Sequence, residues 1–415
     1  MSSRASSAPW VRRPKSRSEH AESLPRGDDG ATLAGMRIAA ALALVALICV
    51  PAGWSSGDAA PKRPFLWQCE QIHLDLAKDA CYSRLLLEDI DRSGHPATEL
   101  PRIDRLARAA GTALYGRCHL LMHTVGREWA AEHHLKIEQL QNVEPRSNDP
   151  GCSAGFGMGL VMYLGPKIIS TGGKSVIPQC NALPTRYRQF TCVHSLGHAL
   201  MRGYHETLFL AVQACARLGA AYAPDCEQGA FHDYWISLRG ADDTTSPLQV
   251  VRSPRRLCAQ YSRWAVQCWY RYFIEQSPGP TVQSARDLTS LCSGLAGGQR
   301  IGCIAGAAKD DIDDPVAQTR VCAALHAATD ALACLRGVAN QVYAGQPAKQ
   351  LALFRGCARM PAGARGGCDA WFGRTFNVVT NGTFLKQGCP KLARADRAAC
   401  AAGARRWRAP LVTFS

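Results

Sequence analysis

The chain has 415 residues, of which 47% are hydrophobic and 20% are charged. This composition excludes an intrinsically disordered or collagen-like protein and allows two or three ordinary domains. Lys and Arg number 48 against 33 Asp and Glu, and such a basic balance favours an anionic surface or a protein or peptide partner. Because no dense basic run is interleaved with aromatic residues, we expect no nucleic-acid partner and at most peripheral contact with a membrane.

The first 60 residues are typical of a polar extension followed by a signal peptide. Residues 1–35 are polar, Met36 and Arg37 precede the apolar run Ile38–Val50, and small residues follow that run. The run is too short to cross roughly 30 Å of hydrocarbon comfortably, which favours a cleaved signal over an N-terminal anchor. The sequence therefore predicts an extracytoplasmic protein, either periplasmic or secreted.

The 19 cysteines are too many for a reducing cytosol unless they hold metal. Apart from Cys49, sixteen of them form eight close pairs, whose members are 10 to 12 residues apart. The second members, taken together with Cys118 and Cys152, recur about every 35 residues, which is the length of a two-helix repeat. The close pairs are Cys69 with Cys81, Cys180 with Cys192, Cys215 with Cys226, Cys258 with Cys268, Cys292 with Cys303, Cys322 with Cys334, Cys357 with Cys368 and Cys389 with Cys400.

The spacing within each pair predicts a disulfide that closes a helical hairpin. On one continuous helix, residues 11 apart are about 16 Å apart, whereas a disulfide needs Cα atoms within roughly 7 Å. The chain must therefore reverse between the two cysteines, and Pro or Gly often lies where it would do so. Zinc is a weaker explanation because the C-x₂₋₄-C spacing is missing. We expect Cys118 and Cys152, the two remaining members of the series, to form a bridge between adjacent hairpins.

These features predict an all-α fold of tandem disulfide-stapled hairpins that form a short α-solenoid or a curled helical bundle. In build, the chain resembles the disulfide-stapled Sel1-like helical repeat proteins, with wider cysteine spacing. We divide it into a His-rich part, 61–240, and a scaffold or partner-binding part, 241–415. Several second cysteines begin a C-x-x-Gly motif, and a glycine there would let neighbouring backbones approach closely. The glycines are Gly155, Gly229, Gly306, Gly337 and Gly403.

Histidines are concentrated between residues 119 and 232. An H-x₃-H motif follows a cysteine of the series at His119 and His123 and again at His194 and His198, and on a helix both imidazoles of such a motif lie on one face. His205 lies eleven residues after His194, about 20° round the helix, and is expected to share the same face. The next repeat places a histidine six residues after its cysteine, as His198 is six after Cys192. That residue is His232, which follows Cys226.

We therefore predict a transition-metal site for Cu, Zn or Fe, built from His119, His123, His194, His198 and His232. The alternative is that these histidines pack in the repeat core and form local hydrogen bonds. Three functions remain open: metal sequestration or delivery, a metal-dependent enzyme that uses the same histidines, and an interaction scaffold without metal. In the enzyme, Asp233 is the candidate acid/base or orienting carboxylate.

Overall fold

The computed structural model describes residues 65–238, 254–275, 282–308, 315–341 and 347–406. Within these ranges every regular element is a helix and no strand is present, which confirms the predicted all-α class. Pro61–Ser415 forms one compact unit. The predicted signal peptide, with its apolar run 38–50, lies outside the described residues, and the division at residue 240 stays a prediction.

The helices are short to medium in length and are joined mostly by tight turns. The α-helices are α1 (Trp67–Glu70), α2 (Asp75–Ser93), α3 (Pro96–Ala109), α4 (Thr112–Glu132), α5 (Leu140–Val143), α6 (Cys152–Tyr163), α7 (Gly165–Ile168), α8 (Ile177–Ala182), α9 (Arg186–Gly203), α10 (Leu208–Ala216), α11 (Ala223–Leu238), α12 (Pro254–Gln260), α13 (Ala265–Glu275), α14 (Ala285–Leu291), α15 (Gly297–Ala307), α16 (Pro315–Ala323), α17 (Ala328–Gln341), α18 (Pro347–Gly356), α19 (Ala362–Val379), α20 (Thr383–Gln387) and α21 (Arg394–Arg405). Short 3₁₀ helices span Ile137–Gln139, Ile169–Thr171, Lys174–Val176, Ser262–Trp264, Cys357–Arg359 and Cys389–Lys391.

All nine predicted disulfides are present. The eight close pairs are each bridged, and their Cα atoms lie between 5.4 and 5.9 Å apart, because the chain reverses between the two cysteines. The bridge predicted between Cys118 and Cys152 also forms. The close pairs are Cys69 with Cys81, Cys180 with Cys192, Cys215 with Cys226, Cys258 with Cys268, Cys292 with Cys303, Cys322 with Cys334, Cys357 with Cys368 and Cys389 with Cys400.

Each close pair joins a long helix to the short segment that precedes it. Cys180 of α8 bonds in this way to Cys192 of α9, and Cys389 bonds to Cys400 of α21. The disulfides therefore fasten one long helix after another through a cysteine in its first two turns. Nine bridges are typical of an oxidising, extracytoplasmic compartment.

The long helices contact one another in chain order: α4, α6, α9, α11, α13, α15, α17, α19 and α21. Helix α19 also contacts α9. The predicted C-x-x-Gly glycines lie at these helix crossings. A Cβ at Gly229 would lie 1.8 Å from the carbonyl oxygen of His194, and one at Gly155 would lie 2.1 Å from that of His119. The same contact with a carbonyl of the preceding long helix recurs at Gly306, Gly337 and Gly403. The 35-residue period and the solenoid stay predictions.

Helix α9 begins at a well-defined cap and is anchored by a buried ion pair. The hydroxyl oxygen of Thr185 accepts a hydrogen bond from the backbone N–H of Arg188, as an N-cap residue does. The Arg188 guanidinium, which is fully buried, lies 2.8 Å from a carboxylate oxygen of the buried Glu144. These contacts attach the start of α9 to the segment that follows α5.

Among the described helices, none is by itself both long and apolar enough to cross a bilayer. The consecutive segments Cys152–Tyr163 and Gly165–Thr171 reach the required length and hydropathy only as a pair, with a bend of 54° between them.

Candidate metal centre

The five predicted histidines lie on three helices. His119 and His123 are on α4, His194 and His198 are on α9, and His232 is on α11. Each H-x₃-H motif spans one helical turn, so its two imidazoles lie on the same face. The close approach of α9 and α11 at Gly197 and Gly229 then brings His232 beside the α9 pair. A Cβ at Gly197 would lie 2.0 Å from the carbonyl oxygen of Cys226.

Three of the histidines form a compact and buried group, the histidine trio: His194, His198 and His232. Nε2 of His194 lies 3.2 Å from Nε2 of His198 and 3.2 Å from Nδ1 of His232. Ligand atoms of all three lie within 4.8 Å of one another, and the three residues are exposed by 3%, 0% and 8% respectively. The trio therefore presents three nitrogen donors to one point.

Carboxylates hold the outer nitrogens of two members of the trio. Nδ1 of His198 lies 3.0 Å from Oδ1 of Asp233, and Nε2 of His232 lies 3.3 Å from Oε1 of Glu275 on α13. A carboxylate beside an imidazole nitrogen favours the proton on that nitrogen and leaves the lone pair on the other one. The lone pairs of His198 Nε2 and His232 Nδ1 therefore face His194.

Neutral imidazoles in this arrangement leave one short nitrogen–nitrogen contact unsatisfied. His194 carries at most one proton on Nε2 and can donate it to only one of its two neighbours. A cation bound between the three nitrogens would satisfy all three lone pairs at once. For Zn–N bonds of about 2.0–2.1 Å at tetrahedral angles, the donor nitrogens would be about 3.3 Å apart. The two nitrogen pairs that include His194 are each 3.2 Å apart, and the ligand atoms of all three histidines lie within 4.8 Å of one another. The residues therefore fit a metal ion.

Burial disfavours the protonated form of these histidines. It lowers the pKa of His123, His194 and His232 well below the usual value of 6.5, and neighbouring positive charge lowers it further. For His232 the largest of these charges is Arg271, which pairs with Glu275 at 3.2 Å. The lone pairs of His123, His194 and His232 therefore remain available at neutral pH, since burial favours the neutral imidazole.

His119 and His123 form a second pair beside the trio. Their Nε2 atoms are 3.3 Å apart, and Nδ1 of His119 donates to the backbone carbonyl of Pro150 at 2.8 Å. Burial lowers the pKa of His119 to about 4. The ring of His123 meets that of His198 edge to face, with centroids 5.5 Å apart. The structure thus places all five histidines in one neighbourhood, but only the trio converges on a single point.

Asp233 lies where the sequence predicted an orienting carboxylate, whereas Glu275 was assigned to the scaffold part and missed. A signal for Glu275 does exist in the repeat. Glu275 follows Cys268 by seven residues, as Asp233 follows Cys226 by seven. Each acid contacts a histidine on the preceding long helix: Asp233 contacts His198, and Glu275 contacts His232. Both histidines lie six residues after the cysteine of their own helix. The expectation that His205 shares the face of His194 is wrong, because α9 ends at Gly203 and His205 has a positive φ of 50°.

A second group of possible metal ligands in the described part of the chain is exposed to solvent. It consists of Asp91, Glu132 and His133. Nδ1 of His133 donates to the carbonyl oxygen of Trp129 at 2.9 Å, and its ring stacks on that of Trp129. Exposed acidic groups of this kind are common without a bound ion, and no buried carboxylate among the described residues orients this histidine.

Comparisons with known proteins leave the site to be judged on its own geometry. No protein-family model, curated protein or solved structure matches the chain.

Proposed function

We propose that this protein binds one transition-metal ion through His194, His198 and His232 and serves in sequestration or delivery of that metal outside the cytoplasm. The observation that carries the proposal is the convergence of three buried imidazole nitrogens, two of them oriented by carboxylates. Imidazole donors suit Cu, Zn and Fe. The proposed scaffold is a short solenoid or curled bundle, supported by helix contacts in chain order and by the recurring contact between glycine and carbonyl.

A metal-dependent enzyme is the second candidate. Three protein ligands are typical of catalytic zinc sites, in which the fourth position is left for water or substrate. The trio supplies three ligands, which favours this candidate over a closed structural site. In either case we assign Asp233 to orienting His198, since its Oδ1 lies 3.0 Å from Nδ1 of that histidine. A spectrum that shows an exchangeable water ligand would favour the enzyme.

Removing one trio ligand is expected to abolish stoichiometric metal binding. We expect the oxidised wild-type protein to retain about one Zn²⁺ or Cu²⁺ per chain after dialysis, and His194→Ala to retain none, because two donors bind far more weakly than three. Elemental analysis with an absorption spectrum of the Co²⁺-substituted protein measures this. His326→Ala, which removes an exposed histidine, is the matched control and should bind like the wild type. No metal in the wild type would leave the interaction scaffold as the surviving function.

Bound metal is expected to resist acid. Protons compete with the metal for the imidazole lone pairs, and burial lowers the pKa of His194 and His232 well below 6.5. Competition therefore begins at a lower pH than for exposed histidines. We expect the Co²⁺ spectrum to be retained at pH 6 and lost well below it. Circular dichroism over the same range checks that the fold persists. A midpoint for release at or above pH 6.5 would contradict this electrostatic description.

A further inference from the structure

Helices α4 and α6 cross in the same way as helices α9 and α11, which carry the trio. A Cβ at Gly229 on α11 would lie 1.8 Å from the carbonyl oxygen of His194. A Cβ at Gly155 on α6 would lie 2.1 Å from the carbonyl oxygen of His119. Each of these two crossing glycines follows the cysteine of its own helix by three residues. His119 on α4 is therefore the counterpart of His194 on α9.

The imidazole pair on α4 repeats the arrangement of the pair on α9. Nε2 of His119 lies 3.3 Å from Nε2 of His123, and Nε2 of His194 lies 3.2 Å from Nε2 of His198. The ring centroids are 4.9 and 5.1 Å apart respectively, and the interplanar angle is 64° in both pairs. Nδ1 of His119 donates to the carbonyl of Pro150, so its lone pair lies on Nε2 and faces His123.

A methionine occupies the third position of this second arrangement. His232 on α11 and Met158 on α6 each follow the crossing glycine of their helix by three residues. Met158 is buried, with 6% of its surface exposed. The next residue, Gly159, also lies at the crossing, because a Cβ there would be 2.4 Å from the carbonyl oxygen of His123. The thioether of Met158 thus takes the place of the imidazole of His232.

The two carboxylates that orient the trio have no counterparts in the second arrangement. Asp233 and Glu275 each follow the cysteine of their helix by seven residues. The same positions on α6 and α9 hold Gly159 and Ala199. The second arrangement therefore offers two imidazoles and a thioether, all of them neutral donors. Soft thioether ligands select Cu⁺ over harder divalent ions.

We propose that His119, His123 and Met158 form a second metal site, which takes Cu⁺. The proposal deepens the proposed function, since the trio serves as its geometric template, but the second site can be filled whether or not the trio holds metal. The rings of His123 and His198 meet with centroids 5.5 Å apart, which makes the two sites neighbours. His119 is partly exposed, so an ion can reach this site from solvent.

Cu⁺ titration of the full-length oxidised protein tests the second site. The protein is first loaded with Zn²⁺, and Cu⁺ is then supplied anaerobically as its acetonitrile complex against a coloured chelator of known affinity. We expect the wild type to bind one Cu⁺. Met158→Leu should raise the Kd by about tenfold or more, since leucine keeps the volume and removes the sulfur. Met360→Leu is the matched control, because Met360 is equally buried at 5% exposure, and it should bind like the wild type.

Met158→His tests the same geometry without copper. A third imidazole would turn the second site into a copy of the trio, so this variant should retain one more Zn²⁺ per chain than the wild type after dialysis. The Cu⁺ titration is also repeated in His194→Ala, which lacks the trio and should still bind one Cu⁺.

The outcomes separate this proposal from the proposed function. Equal Cu⁺ affinity in the wild type and Met158→Leu, no Cu⁺ binding by the wild type, or no additional Zn²⁺ in folded Met158→His would overturn the second site. The contact between His119 and His123 would then be an ordinary hydrogen bond. A wild type that retains no Zn²⁺, together with a Cu⁺ site that Met158→Leu weakens in the His194→Ala background, would overturn the metal function of the trio alone.

Discussion

Replacing Gly229 by alanine is expected to destabilise the protein by about 3 kcal/mol, at the upper end of what overpacking costs. The added Cβ would lie 1.8 Å from the carbonyl oxygen of His194. That oxygen belongs to the backbone of α9, so relief requires the two helices to separate. Separation would also move His232 away from His194, and we expect bound metal to be lost. Thermal unfolding and elemental analysis of the same sample measure both effects.

A second glycine provides the control for helix propensity. Gly366 lies on α19, and a Cβ there would meet nothing within 4 Å. Gly366→Ala should therefore stabilise the protein by roughly 0.5–1 kcal/mol, since alanine is the better helix former. If Gly229→Ala behaved in the same way and kept its metal, α9 and α11 would not cross as closely as described, and the trio would lose its structural basis.

Neutralising the two carboxylates that orient the trio is expected to weaken metal binding by roughly 10–100-fold for each change. Asp233→Asn and Glu275→Gln preserve shape but remove the charge that holds the proton on the outer nitrogen of His198 and of His232. The inner lone pairs become poorer donors and the rings are less firmly oriented. Competition with a chelator of known affinity gives the change in Kd for each variant.

Glu227→Gln is the matched control for these changes. Glu227 is also on α11 and is partly buried, but its carboxylate accepts from the indole N–H of Trp264 at 2.8 Å rather than from a histidine. We expect its metal affinity to equal that of the wild type. Wild-type affinity in the double variant Asp233→Asn with Glu275→Gln would mean that the carboxylates serve packing alone.

Much of the scaffold and the centre of the site could be predicted because both depend on short-range regularities. A separation of 10 to 12 residues between cysteines can be bridged only if the chain turns back, so the hairpins and their disulfides followed from geometry. The H-x₃-H spacing likewise places His194 beside His198 on any helix. The match between His198 and His232, each six residues after its cysteine, brought the third ligand into the prediction.

The remaining features depend on how neighbouring helices cross, which spacing alone does not determine. Glu275 reaches His232 only because α13 packs against α11. His119 and His123 both lie on α4, so their distance from the trio likewise depends on where α4 packs. The end of α9 at Gly203 placed His205 outside the helix, although periodicity alone would have continued the helical face.

Every disulfide in the described chain joins a cysteine to the next cysteine along the sequence. Among the very many ways to pair 18 thiols, this is the one produced if each thiol reacts with its successor as the polypeptide emerges, N-terminus first, into an oxidant. Native connectivity would then require little reshuffling, which is otherwise a slow step of oxidative maturation. The order of the cysteines thus allows the native disulfides to form one after another as the chain emerges from its N-terminus.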